Sequence, residues 1–167
     1  MDFREINQLL DEMTDRLQLM LDQSGKTDPL LIGIHTGGYW IATHIQKRLS
    51  GNVPLGELNI AFYRDDFSRI GMHPQVSPSN LPFDVEDRHI ILVDDVLHTG
   101  RTIRAAMNEI FDYGRPASIT LMVLAERSGH ELPIKADITG KTLALKRGEH
   151  AKLLGPEPLA LEIKITA

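Results

Sequence analysis

The chain has 167 residues, 42% of them apolar and 25% charged, with no cysteine and a formal net charge of −5. That is close to the soft prior of about 150 residues for one domain, and it excludes disulfides and thiolate metal sites. The acidic balance argues against wholesale coating of nucleic acid and leaves room only for a local basic face, and no apolar run approaches the roughly 18 residues of a membrane span.

Met1-Asp2-Phe3-Arg4-Glu5 lacks the basic-then-apolar layout of an export signal, so a cytoplasmic protein without membrane attachment is expected. Apolar residues at Phe3, Ile6, Leu9, Leu10, Met13, Leu17, Met20 and Leu21 predict a helix over 3–21, with Asp2 as N-cap and Gly25 as its stop. Leu30 to Ile34 reads as a buried strand that ends in His35-Thr36-Gly37-Gly38, and a second helix follows over 39–49. Residues 57–63 alternate Leu58, Ile60 and Phe62 inward, the period of a strand.

Residues 68–82 carry Gly71, Pro74, Pro78 and Pro82 without an apolar period, which predicts a long loop of the kind that is usually functional or mobile. A strand over 89–93, a polar turn over 94–102 and a helix through Ile103, Met107, Ile110 and Phe111 come next, closed by Gly114 and Pro116. A strand over 119–124 follows, and 126–167 reads as short strands and turns. The last of these puts Leu161, Ile163 and Ile165 on one side, where core packing is expected. The alternation of strands and helices predicts an α/β fold, a mainly parallel central sheet flanked by helices, in one domain over 1–167.

The chemistry concentrates in residues 90–104, Ile-Ile-Leu-Val-Asp-Asp-Val-Leu-His-Thr-Gly-Arg-Thr-Ile-Arg. Ligands of α/β sheets bind beyond the carboxyl ends of the strands. A turn that opens a helix offers unpaired N–H groups and the positive end of the dipole to a phosphate. Gly100 lets the backbone approach, and Thr99 and Thr102 add hydroxyls. Asp94 and Asp95 cannot bind a phosphate themselves; they suit neutral hydroxyls such as those of a ribose, or magnesium through water. Either feature alone is commonly a solvated strand end or a plain turn; together, between a buried strand and a helix, they point to a nucleotide-type ligand. Neither G-x-x-x-x-G-K-[ST] nor G-x-G-x-x-G occurs, so P-loop and dinucleotide sites are excluded.

This stretch resembles the phosphoribosyl pyrophosphate (PRPP) motif of type I phosphoribosyltransferases. More narrowly, Val93-Asp94-Asp95-Val96-Leu97 with Thr99-Gly100-Arg101-Thr102 resembles the PyrR proteins, pyrimidine regulators with uracil phosphoribosyltransferase activity. Tyr63-Arg64-Asp65-Asp66, Gly114-Arg115-Pro116-Ala117-Ser118, Glu131-Leu132-Pro133-Ile134 and the stretch from Ala136-Asp137 to Gly140-Lys141 extend the likeness from the first helix to about residue 142. The fold it implies is that of a type I phosphoribosyltransferase with a small hood region.

By this resemblance Asp94 and Asp95 hold the ribose hydroxyls with the help of magnesium, and Val96, Leu97, His98, Thr99, Gly100, Arg101 and Thr102 form the PRPP and nucleotide site. His35-Thr36-Gly37-Gly38 takes the place of the pyrophosphate loop. PyrR proteins usually carry Thr-Arg-Gly there, so Gly37 leaves one cation out, and Arg64 at the start of the long loop is the catalytic candidate to compensate. His98 stands where PyrR proteins usually have tyrosine and is expected near the base, with Arg127 and the backbone around Ile138 framing it. The long loop would exclude water.

The implied substrates are PRPP and uracil and the product UMP, with magnesium as cofactor and a homo-oligomer, dimer or larger, as the assembly. PyrR attenuators also bind a leader RNA of the pyrimidine operon through a basic face; Arg16, Lys135 and Lys141 are the candidates, with Lys146 and Arg147 nearby. Two alternatives stay open at this point: a regulator that keeps the site only to sense nucleotide, and a transferase for guanine, hypoxanthine or orotate.

Overall fold

The computed structural model describes residues 1–60 and 79–166. Helix α1 spans Phe3–Ser24. The Asp2 carboxylate accepts hydrogen bonds from the N–H groups of Arg4 and Glu5, each at 3.0 Å, and the Glu5 side chain accepts from the Asp2 N–H at 2.8 Å. A cap of this kind is worth about 1 kcal/mol. Gly25, in the left-handed region at φ 68°, ends the helix.

Strand β1 (Leu30–Ile34) leads into α2 (Gly37–Arg48) and β2 (Leu55–Leu58). Strand β3 (His89–Leu97) leads into α3 (Arg101–Tyr113) and β4 (Ser118–Arg127), and β5 (Ile138–Leu143) completes a parallel sheet of order β2-β1-β3-β4-β5. A separate antiparallel hairpin, β6 (Glu149–Leu154) and β7 (Ala160–Ile165), follows. The strands are nearly continuous in apolar residues because both faces of the sheet are covered. On one face Leu31, Ile91, Val93, Met122 and Leu124 share a core with Ile6, Leu10 and Leu17 of α1 and Ile41 and Ile45 of α2. On the other, Leu30, Ile32, Leu92 and Val123 share a core with Ile103, Ala106 and Ile110 of α3. Each fully buried side chain of this size contributes roughly 1.5–3 kcal/mol relative to exposure.

The strand order places the site. From β1 the chain crosses through α2 to β2 on one side; from β3 it crosses through α3 to β4 on the other. The connections leaving the neighbouring strands β1 and β3 therefore diverge to opposite faces and open a crevice at their carboxyl ends.

Three sequence expectations change, and one lies mostly outside the described residues. The strand expected at 89–93 runs on to Leu97, so Asp94 and Asp95 lie in β3 rather than in a turn. The reason is β4, which is long enough to pair Asp94 with Val123 and Leu97 with Glu126; a backbone with a partner stays extended whatever its side chains. The second strand begins at Leu55 and is assigned only to Leu58; Leu58 and Ile60 are buried as expected, and Phe62 lies outside the described residues. In β7 only Leu161 reaches the core, while Ile163 and Ile165 are 46% and 78% exposed. The Leu161 end of the hairpin joins the core, where the Leu161 N–H donates to the Met1 carbonyl at 2.9 Å, whereas the end that carries Ile165 is held through the Glu149 carbonyl, which accepts from Arg127 Nη1 at 2.8 Å, and leaves the isoleucine side chains exposed. Of the long loop, residues 68–78 lie outside the described residues, as do Tyr63 to Asp66 and with them Arg64. Asn80 is described, and it exchanges backbone hydrogen bonds with Glu57 at 2.8 and 2.7 Å. Among the described residues no helix is long and apolar enough to cross a membrane.

Candidate active site

Two loops meet in the crevice, 35–38 after β1 and 98–102 after β3. Each runs into a helix whose first turn carries no acidic residue and whose N-cap makes no side-chain hydrogen bond: Thr36 for α2 and Gly100 for α3. Both N-termini keep N–H groups and a positive dipole end for an anion. Gly100 has φ 94°, a conformation a side chain resists, and a β-carbon there would meet the Leu132 β-carbon at 3.3 Å.

The β1 loop lies directly on the two acids. A β-carbon at Gly38 would stand 2.5 Å from the Val93 carbonyl oxygen and 2.9 Å from the Asp94 α-carbon. One at Gly37 would collide with Asp95 Oδ2 and stand 2.8 Å from its Cγ. The paired glycines thus allow the loop expected to take pyrophosphate to touch the carboxylates expected to take the ribose. Asp94 is 6% exposed. Its Oδ1 accepts from the Asp95 N–H at 2.8 Å, and Asp95 Oδ1 accepts from the Val96 N–H at 2.7 Å. Local bonds of this kind hold the carboxylates at fixed rotamers beside the strand end. Val96 is half-buried, and Leu97 is buried in the core beneath α3.

The β3 loop is tied down from the far side. The Thr99 carbonyl accepts from the N–H groups of Glu131 and Leu132 at 3.0 and 3.1 Å, and Thr99 Oγ1 accepts from the Arg101 N–H at 3.2 Å. The hydroxyl hydrogen of Thr99 is then available to a ligand. Arg101 is exposed, and its Nε donates to Glu131 Oε2 at 3.0 Å, so its charge is shared with a carboxylate. Thr102 is half-buried in the first turn of α3.

His98 stands beside Gly129, whose added β-carbon would be 2.9 Å from His98 Nε2. Partial burial lowers the His98 pKa below its ordinary value, with Arg127, His150 and His130 acting in the same direction and Glu131 against them. These influences favour the neutral imidazole, which can both donate and accept. Arg127 ends β4; its Nη1 donates to the Glu149 carbonyl at 2.8 Å, and its buried Nε has no partner among the described residues.

Ile138 is not brought to the crevice. Its side chain is 1% exposed in the core beneath α1, at the start of β5, opposite Met122. The backbone before it is engaged as well: the Asp137 N–H donates to the Leu121 carbonyl, and Asp137 Oδ2 accepts from the Leu121 N–H, both at 2.8 Å. Arg16 and Lys141 lie at β5, the edge strand of the sheet, and Lys135 precedes that strand in the chain. Arg16 Nη1 donates to the Thr139 carbonyl at 2.9 Å, while Lys135 and Lys141 are exposed. Lys141 shares its surroundings with Glu5 and Glu12, so the edge is mixed in charge.

The donor set suits magnesium in one way only. Among the described residues no three His, Cys, Asp or Glu side chains converge on a cage, so the chain offers Asp94 and Asp95 at one strand end. Magnesium commonly binds through one or two carboxylates together with waters and substrate phosphates, and this pair fits that mode.

Sequence reasoning passed over Glu57. Its Oε1 lies 2.5 Å from His35 Nδ1, and the period-2 pattern had marked it only as an outward position.

The profile of the phosphoribosyl transferase domain family matches residues 4–148. A bifunctional protein PyrR from Nitrosococcus oceani is 58% identical over 95% of this chain and 91% of its own length. One from Pseudomonas aeruginosa is 53% identical over 95% of this chain and 93% of that protein. Among solved structures, the hypoxanthine phosphoribosyltransferase of Trypanosoma cruzi aligns with a TM-score of 0.66 at 21% identity over 85% of this chain and 79% of that one. A hypoxanthine-guanine-xanthine phosphoribosyltransferase gives 0.63 at 19% identity over 85% and 76%. These structural likenesses carry the fold.

Proposed function

The chain belongs to the phosphoribosyl transferase domain family and, within it, to the PyrR proteins, and on that premise we propose that it transfers the phosphoribosyl group of PRPP to uracil, forming UMP and pyrophosphate. The observation that carries this reading is the contact of the Gly37-Gly38 loop with Asp94 and Asp95, shortly before the N-terminus of α3. On this reading the loop takes the leaving pyrophosphate, the acids the ribose diol, and the helix N-terminus the 5′-phosphate.

Uracil N1 forms a bond to the anomeric carbon and releases its proton to solvent, while the bond from that carbon to the pyrophosphate oxygen breaks and its electrons leave with pyrophosphate. Positive charge builds on the sugar in between, and Asp94 and Asp95 lie on its side of the site. The N–H groups at the starts of α2 and α3 hold the two anionic ends of the substrate apart and aligned. The protein's contribution is position and preorganised charge, with no covalent step. Asp94 and Asp95 would hold magnesium, which would supply neutralisation of charge on the leaving pyrophosphate. On this reading His98, its pKa lowered by partial burial and by Arg127, serves as a hydrogen-bonding partner for the base.

The test is a panel of radiolabelled uracil, guanine, hypoxanthine and orotate with PRPP and magnesium. UMP as the main product is expected. Turnover of a purine or of orotate in preference would replace the substrate, and nucleotide binding without turnover would make the site a sensor.

A second role, regulation of pyrimidine genes by binding leader RNA, is favoured by the exposed Lys135 and Lys141 flanking the sheet edge with Arg16. Its test is argued in the Discussion.

A further inference from the structure

We propose that Glu57 and His35 form a positioning pair that orients the pyrophosphate loop, an inference that rests on the transferase reading above. His35 Nδ1 and Glu57 Oε1 are 2.5 Å apart. A carboxylate accepts, so Nδ1 carries the hydrogen. The two side chains are 39% and 29% exposed, which makes the contact partly desolvated and stronger than a pair in open water.

Glu57 is fixed independently of the loop it reaches. It sits opposite Gly33 in the register of β2 on β1, and its backbone N–H and carbonyl both bond to Asn80, at 2.8 and 2.7 Å. His35 is the handover from strand to loop: its N–H donates to the Leu58 carbonyl at 2.8 Å, and Thr36, Gly37 and Gly38 follow at once. The side-chain contact therefore ties a doubly anchored strand residue to the first residue of the loop.

Such a tie matters here because Gly37 and Gly38 bring no side chain to the ligand. Binding of a pyrophosphate group falls to backbone N–H groups and the Thr36 hydroxyl, whose value depends on orientation. A displacement of about 1 Å can cost on the order of a hundredfold in rate. A hydrogen bond to an ionised acceptor is also roughly twice as strong as a neutral one, which suits a tether.

The test uses the full-length protein with Glu57→Ala, His35→Ala, the double variant and Glu57→Gln. KM for PRPP is measured at saturating uracil, and KM for uracil at saturating PRPP. Each alanine variant is expected to raise KM for PRPP about tenfold and to leave that for uracil within about twofold. Glu57→Gln, which keeps an acceptor at Oε1, should recover most of the loss, and the double variant should be no worse than the worse single, because both remove one contact. Trp40, the sole tryptophan, lies in the first turn of α2, so its fluorescence gives a pyrophosphate titration that needs no turnover; affinity should fall in parallel.

An unchanged PRPP KM and pyrophosphate affinity in Glu57→Ala would overturn the inference. So would an equal rise in both KM values, or full additivity in the double variant. Should Glu57→Ala fail to fold, His35→Asn leaves Glu57 in place and carries the same measurements. Wild-type protein that forms no UMP refutes the transferase reading instead, and the fluorescence titration still decides the role of the pair.

Discussion

Gly37 and Asp95 are in van der Waals contact across the crevice between β1 and β3, so close that the carboxylate occupies the space of a β-carbon on the glycine. Gly37→Ala is expected to displace Asp95 and to lower kcat/KM for PRPP by about tenfold or more. Gly37→Arg should behave no better, because the added cation comes with the same collision. Steady-state kinetics of both variants check this; a Gly37→Arg enzyme more active than wild type would show that Asp95 yields without loss.

Asp95→Asn keeps size and shape but halves the acidic character of the ribose corner, and Thr102→Val removes a hydroxyl from the first turn of α3. Hydrogen bonds to a charged group are worth roughly 1.5–3 kcal/mol. Each substitution should lower kcat/KM by more than about tenfold. UMP formation at wild-type rates in either variant would remove that residue from the site.

The acids and the turn were legible in the sequence because they are consecutive and flanked by a strand and a helix of unambiguous period. What the sequence hid is contact at long range. His35 and Glu57 are 22 residues apart, and Arg101 and Glu131 are 30 apart; periodicity says which way a side chain faces but not what it meets. The length of β3 was hidden for the same reason, since Asp94 and Asp95 are extended only because β4 runs alongside them. Ile163 and Ile165 show the converse error. Alternation places both on one face of β7, but a two-stranded hairpin has no layer to cover that face along its whole length.

His98 makes the acid side of the pH profile specific. Its pKa is held below the ordinary 6.5 by partial burial first and by Arg127 next, so the folded protein binds this proton less readily than the unfolded chain. Stability from this group is present above 6.5 and is lost as pH falls from there through the folded value. Over the same range the imidazole becomes a cation and loses its acceptor. KM for uracil should rise on the acid side below that ordinary value while KM for PRPP changes less. His98→Gln should flatten the uracil profile; an unchanged acid limb in that variant would assign it to another group.

Glu109 carries the opposite sign. It projects from α3, its Oε1 accepts from Ser79 Oγ at 2.6 Å, and its buried Oε2 has no partner among the described residues. Burial raises its pKa above the ordinary 4.5, against the Ser79 hydrogen bond, which lowers it. The folded state therefore holds this proton more tightly than the unfolded chain, and stability is lost as pH rises through the raised value. Glu109→Gln keeps the acceptor for Ser79 and removes the charge. Its melting temperature should exceed that of wild type at pH about 8 and converge with it in mild acid. A glutamine variant that is less stable than wild type at the higher pH would mean that the charge has a partner that offsets its burial.

The RNA role turns on which basic residues are free to meet phosphate. The Arg16 guanidinium already serves the Thr139 carbonyl, so its replacement disturbs the joint between α1 and β5 as well as any surface contact. Lys135 and Lys141 are exposed and make the cleaner probes, although Glu5 and Glu12 beside Lys141 reduce its pull. Each phosphate neutralised releases a counterion, so affinity falls with salt by a slope of roughly 0.7 per contact on single strands and 0.9 on duplexes. Gel shifts with the leader RNA of the organism's own pyrimidine operon, at several salt concentrations, should show a steep decline for wild type. Lys135→Ala and Lys141→Ala should each weaken binding and reduce the slope by about one contact, while uracil turnover stays unchanged, because neither side chain lies in the crevice between β1 and β3. Binding that is absent at low salt, or that keeps its slope in both variants, would move the regulatory function off the β5 edge and leave the transferase standing alone.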